Sequence, residues 1–191
     1  MTALVLASSS PRRQQMFHDL NLAFTIDKPE TDESVLKGEK PVDYVCRVAR
    51  EKALVVAARQ KGKVVLAADT TVAVGRYILG KPSNAVEAQR MIKQMSGRRH
   101  SVLTAVCVIS ATGDIYETFT KTIVKFKPLS KIEIEAHVSH EDNWQGKAGA
   151  YGIQTTAGGV MIKSVNGSYT GVVGLPLPEA LNLLRRCGLD L

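Results

Sequence analysis

The sequence predicts an α/β or α+β protein built on a large twisted mixed sheet with flanking helices. Three observations carry that expectation. Short apolar runs such as Leu4, Val5 and Leu6 have the character of strands buried on both faces. Amphipathic segments opened by capping signals alternate with them. Two long strand-like runs around "ATGD" add an antiparallel pair. A chain of 191 residues can bury one substantial core, so a single domain over 1–191 is expected.

The opening stretch, "TALVLASSSPRRQQMFHDL", reads as a buried strand that gives way to a helix. Ser10 and Pro11 suit the N-cap and first helical position, and Met16, Phe17 and Leu20 form an apolar stripe. Arg12 and Arg13 then fall in the first turn, where the macrodipole disfavours cations. Backbone N–H groups and two guanidinium groups at one helix end make an anion site suited to phosphate, with an exposed, solvated helix start as the alternative.

"AFTID" follows as a strand, then the polar loop "KPETDESVLKGEK". Pro41 opens a long amphipathic helix reaching about Gln60, with Val45, Val48, Ala49 and Val56 among its apolar positions. "KVVLAADTTVAV" is the most strand-like run, with Asp69 in its middle. Asn84 and Glu87 cap a helix that Gly97 stops. The hairpin around "ATGD" precedes a capping box, Ser130 with Glu133, that starts a helix to about His140. "NG" at Asn166 and Gly167 predicts a second hairpin between "VMIKSV" and "SYTGVV". A last helix through Leu181 and Leu184 ends at Gly188.

Composition narrows the function classes. No apolar run approaches the roughly 18 residues of a membrane span, and the N-terminal apolar run is too short for a signal peptide. Three widely spaced cysteines in apolar surroundings, Cys46, Cys107 and Cys187, read as buried free thiols of a cytoplasmic protein. The net charge of +7 could suit nucleic acid, yet the basic residues are dispersed and aromatics make up only 5 %. A pocket that collects polyanionic nucleotides accounts for the same balance.

Several residues could carry chemistry. The run "VVLAAD" ends on Asp69, and a carboxylate at the end of a buried strand is costly unless exposed at a site or paired; a structural acid capping the next turn through Thr70 or Thr71 is the alternative. Glu30, Asp32 and Glu33 could join Asp69 around a divalent cation, or form a solvated loop. Lys52 in "REKA" and Lys81 in "GKP" are candidate phosphate clamps, though each taken singly reads as a surface lysine. "GKAGAYG" lacks the ending of a Walker A loop, and "HVSHED" reads as a helix end rather than a zinc site.

In order, "LASSSPRR", "REKA", "AADT", "GKP", "KAGAYGIQ" and "NGSYTGVVGLPL" resemble the Maf family of nucleoside triphosphate pyrophosphatases, nearly end to end. The resemblance implies two lobes around a cleft, a fold similar to inosine triphosphate pyrophosphatase, and a homodimer. It implies cleavage of a nucleoside triphosphate between the α and β phosphates with a divalent metal cation, Mg2+ or Mn2+. Asp69 falls on the catalytic acid, and Ser8, Arg13, Lys52 and Lys81 on phosphate contacts. Glu33 falls in the acidic loop associated with metal or triphosphate, so the metal would take Glu33 and Asp69. Arg12, Thr70 and Gln154 fall on positions that distinguish family branches, and they look like the branch acting on dTTP and UTP. A non-enzymatic nucleotide sensor, or a nucleic-acid-associated regulator of septum formation, is the competing expectation.

Overall fold

The protein is described from a computed structural model covering residues 3–189. In chain order the elements begin with β1 (Leu4–Ala7), α1 (Pro11–Asp19), β2 (Thr25–Ile26), α2 (Pro41–Arg59) and β3 (Val64–Val74). Next come β4 (Tyr77–Leu79), α3 (Ala85–Met95), β5 (Arg99–Ile109), β6 (Ile115–Phe126), α4 (Lys131–Val138) and α5 (Glu141–Trp144). A single 3-10 turn (Ala148–Ala150) leads to α6 (Thr156–Gly159), β7 (Ile162–Asn166), α7 (Tyr169–Val173) and α8 (Leu177–Arg186). The strands form one mixed seven-stranded sheet in the order β2-β1-β3-β5-β6-β7, with β4 paired to β3. The chain divides into two compact units, the first made of 3–69, 104–120 and 174–189, the second of 70–103 and 121–173.

In the first unit β1 lies between β2 and β3, parallel to both. All four β1 residues are buried, as are 64–68 of β3. Strands covered on both faces need apolar residues at every position, which is why "LVLA" shows no alternation. Leu4 and Leu6 join Phe17, Leu66, Val106 and Leu184 in one cluster. α2 buries Val45, Val48, Ala49, Ala53 and Val56, a stripe at helical spacing. The chain enters α1 through Pro11 as expected, but Ser10 makes no side-chain cap; its own N–H instead donates to Ser8 Oγ at 3.1 Å. "AFTID" yields only the exposed pair Thr25–Ile26; beyond it Asp27 N–H still donates to Leu6 O at 3.1 Å, and its carboxylate is held by Arg59 and by Gln60 Nε2 at 2.7 Å.

The second unit has its own core, including Val72, Ile92, Met95, Phe126, Trp144 and Tyr151. Asn84 Oδ1 accepts from Glu87 N–H at 2.9 Å, and the Ser130–Glu133 capping box is complete, so both cap expectations hold. α4 stops at Val138, and His140 becomes the N-cap of α5. The expected hairpin at Asn166 and Gly167 does not form. β7 ends at Asn166 and the chain turns into α7, whose first turn Ser168 Oγ caps by accepting from Gly171 N–H at 3.0 Å. Gly167 serves close packing there, since a Cβ would lie 2.9 Å from the Thr122 Cα of β6.

Among the described residues no helix is long and apolar enough to cross a membrane. Cys46, Cys107 and Cys187 are free thiols, and burial pushes Cys107 up to about 12. Cys46 and Cys187 are half-buried rather than buried.

The tightest backbone approach is at Gly158, where a Cβ would stand 2.0 Å from the carbonyl oxygen of Gly152. All the atoms it would meet are Gly152 main chain, which cannot swing aside as a side chain can. Gly158→Ala should therefore destabilise the protein by about 2 kcal/mol or more, the upper part of the overpacking range. Urea unfolding measures it, and a midpoint equal to wild type would contradict this packing.

Candidate active site

The first unit gathers five of the residues singled out from the sequence: Ser8, Arg13, Glu33, Lys52 and Asp69. β1 delivers the first two. Ser8 follows its last residue and is buried, and Arg13 enters one helical turn before Phe17. Placed on the apolar face of α1, Arg13 is only 8 % exposed. Its Nε donates to Gly174 O at 2.7 Å and its Nη1 to Ser8 Oγ at 3.4 Å.

Lys52 departs from its surface reading. It occupies the buried stripe of α2, four residues after Val48 and four before Val56, and is 6 % exposed. A buried ammonium needs counter-charge. Lys52 Nζ has two carboxylates at 2.8 Å, Asp69 Oδ1 from β3 and Glu33 Oε1 from the loop before α2. Asp69, also 6 % exposed, therefore stands within β3, with the strand running on to Val74. That pairing replaces the alternative in which Asp69 caps a turn.

Glu33 reaches the cluster because its loop is pinned to α2. Tyr44 Oη donates to Glu33 O at 3.0 Å, and Arg47 Nη2 donates to Ser34 O at 2.9 Å while its Nε pairs with Glu39 at 2.6 Å. Asp32 accepts from Ser34 N–H at 2.8 Å and is exposed, as is Glu30. Of the three loop acids, only Glu33 pairs with Lys52. Tyr44, Arg47 and Glu39 escaped the sequence reading. For Tyr44 and Arg47 the signal lay in their helical spacing on the face of α2 toward the loop; Glu39, in the loop itself, carried none.

The electrostatics agree with the contacts. Burial lowers the Arg13 pKa, the charges of Asp69 and Glu33 work against that, and Arg12 adds to it. The Tyr44 phenol is pushed up to about 12, first by burial and then by the charges of Asp69 and Glu33. Half-buried Arg12 has its pKa lowered by burial. Among the described residues no three His, Cys, Asp or Glu side chains gather into a metal site. The carboxylates suited to a hard cation are Glu33 and Asp69, both on the same ammonium.

The remaining sequence candidates belong to the second unit. Thr70 follows Asp69 on β3 and is half-buried; Lys81 and Gln154 are exposed. The turn before Lys81 is tied to the 3-10 turn, with Gly149 N–H donating to Gly80 O at 3.0 Å. Gln154 follows Gly152, where a Cβ would stand 3.2 Å from Gln154 Oε1 and from Lys147 Cδ.

The fold is of the Ham1 kind. The chain superposes on the Staphylococcus aureus Ham1 protein with a TM-score of 0.50 at 11 % identity, covering 97 % of each chain. Residues 3–187 match the family described as Maf-like protein, and the chain belongs to that family. Its relatives include the dTTP/UTP pyrophosphatase of Anaeromyxobacter dehalogenans strain 2CP-C, 49 % identical over 98 % of this chain and 95 % of that one. The dTTP/UTP pyrophosphatase of Sphingopyxis alaskensis is 48 % identical, with 100 % of both chains covered.

Lys52 and Asp69 form a buried pair, to which Glu33 adds an exposed carboxylate. Lys52→Met should destabilise the protein by about 3 kcal/mol, because it strands a buried carboxylate. The double variant Lys52→Met, Asp69→Asn should lose less than the sum of the two single changes. Chemical denaturation of the four proteins reads this, and strict additivity would show that the pair is not coupled.

Proposed function

We propose that the protein hydrolyses dTTP and UTP to the nucleoside monophosphate and pyrophosphate, and that the cluster around Lys52 performs the reaction. The observation that carries this reading is the buried Asp69 carboxylate at 2.8 Å from Lys52 Nζ. The naming of full-length relatives at 48–49 % identity as dTTP/UTP pyrophosphatases supports the substrate choice. A buried carboxylate speaks for an enzyme over a sensor, since a site that only held a polyanion would be weakened by it.

The residues divide the work. Asp69 accepts the proton of the attacking water at a carboxylate oxygen. The bond between the bridging oxygen and the attacked phosphorus breaks, and the pyrophosphate leaves with the charge. Ser8, Arg13, Lys52 and Lys81 contact phosphate, and their donors meet that developing charge. Glu33 and Asp69 are the residues that would hold a divalent cation, Mg2+ or Mn2+. Bound there with phosphate oxygens, it would neutralise charge and lower the pKa of water. Two protein carboxylates suit magnesium, which takes few protein ligands alongside substrate phosphates.

Arg12, Thr70 and Gln154 take the base-reading role of the family branch. The Gln154 amide both donates and accepts, matching the carbonyl and N3–H of uracil and thymine. A methyl group is worth only about 1–3 kcal/mol to a pocket, so both nucleotides are expected to react. A homodimer belongs to the same reading.

Product analysis tests the reaction: dTTP should give dTMP and pyrophosphate, and release of orthophosphate with dTDP would contradict it. Asp69→Asn should lower kcat by about 10²–10⁴-fold while the variant remains folded. Near-normal turnover in a folded Asp69→Asn protein would assign the carboxylate to structure alone. Full activity in excess chelator would remove the cation from the scheme.

A further inference from the structure

Residues 147–154 contain two consecutive left-handed residues, Gly149 at φ 69° and Ala150 at φ 64°. Glycine adopts that conformation freely, whereas alanine keeps it only where its surroundings hold it. Here the hold is visible on each side. Gly149 packs on Val72 so closely that a Cβ would lie 2.9 Å from Val72 Cγ2, and its N–H donates to Gly80 O at 3.0 Å. Tyr151 Oη lies 2.8 Å from His100 Nε2 in the core. Between them, His137 on α4 places Nε2 2.9 Å from Ala150 O.

His137 is 5 % exposed, and burial lowers its pKa while its backbone contacts with Ala150 and Ala157 work against that. A carbonyl only accepts, so Nε2 carries a proton and donates it to Ala150 O. The bond fixes the one non-glycine residue of the pair. Downstream of it the chain reaches Gln154 within four residues; upstream, Gly149 grips the carbonyl that immediately precedes Lys81.

We propose that His137 is a positioning residue for nucleotide recognition: by holding Ala150 O it locks the left-handed pair and so sets Lys81 and Gln154 together. The inference rests on the reading above that those two side chains contact the nucleotide. His137 touches no substrate itself and works through the backbone of 149–152.

Three variants and two readouts test it. His137→Leu keeps volume and loses the donor, His137→Gln restores an N–H near the position of Nε2, and Gln154→Ala probes recognition alone. The readouts are hydrogen exchange at the Gly149 amide without nucleotide, and kcat and KM for dTTP, UTP and CTP. His137→Leu should speed Gly149 exchange and raise KM for dTTP and UTP about three- to tenfold, the worth of one buried hydrogen bond. It should leave kcat little changed and erode the preference over CTP, and His137→Gln should restore all of these.

A folded His137→Leu protein with wild-type Gly149 exchange and KM, beside a Gln154→Ala protein that loses base preference, overturns the inference and leaves the nucleotide reading standing. If Gln154→Ala leaves KM and preference unaltered, the nucleotide reading of Gln154 fails and the positioning role falls with it, even where Gly149 exchange rises. Should His137→Leu not fold, His137→Asn replaces it, because its shorter amide matches Nδ1 rather than Nε2.

Discussion

One buried ammonium organises the first unit. Lys52 Nζ lies 2.8 Å from both Asp69 and Glu33, and the buried Asp69 depends on it for counter-charge. Desolvating a carboxylate without a partner costs several kcal/mol in practice, on the order of a whole domain's margin of stability. The elements that meet at this point are therefore constrained together: the inner stripe of α2, the middle of β3, and the loop before α2. Arg13, held by Gly174 O and Ser8 Oγ, adds a second buried cation whose charge Asp69 and Glu33 favour. Two buried cations and the buried Asp69 carboxylate, with the exposed Glu33 beside them, form a preorganised field, which is what phosphoanhydride chemistry requires.

The second unit works with backbone more than with charge. Gly158 against Gly152, Gly167 against Thr122 and Gly149 against Val72 are all approaches that a side chain would block. They shape a segment in which Tyr151 is anchored through His100, whose own pKa burial holds down at about 4. A neutral histidine of this kind contributes packing and one hydrogen bond without adding charge to the core.

Much of this was legible from the chain alone. The capping pairs at Asn84 and Ser130, the long hairpin strands and the parallel apolar runs are local signals, and local physics decides them. The ordered motifs also pointed to Ser8, Arg13, Glu33, Lys52 and Asp69, which the structure gathers. Lys52 shows the limit of composition: a lysine reads as surface until its place on the Val48–Val56 stripe is noticed. The "NG" dipeptide misled because a dipeptide propensity cannot register that Gly167 is needed to clear Thr122. Ser10 occupies the N-cap position, yet the cap bond depends on a side-chain rotamer, and Ser8 takes the local N–H instead. Tyr44 and Arg47 act on a loop that lacks any periodic signal, so their roles emerge only in three dimensions.

The central claim is that the buried Lys52 cluster receives the triphosphate. The most direct measurement is a crystal structure of the protein with α,β-methylene dTTP, which cannot be cleaved at the proposed bond. The account predicts phosphate oxygens within hydrogen-bond distance of Arg13 and Lys52, with the α phosphorus facing Asp69. A triphosphate bound elsewhere, with Lys52 still closed on Asp69 and Glu33 and Arg13 on Gly174, would contradict it.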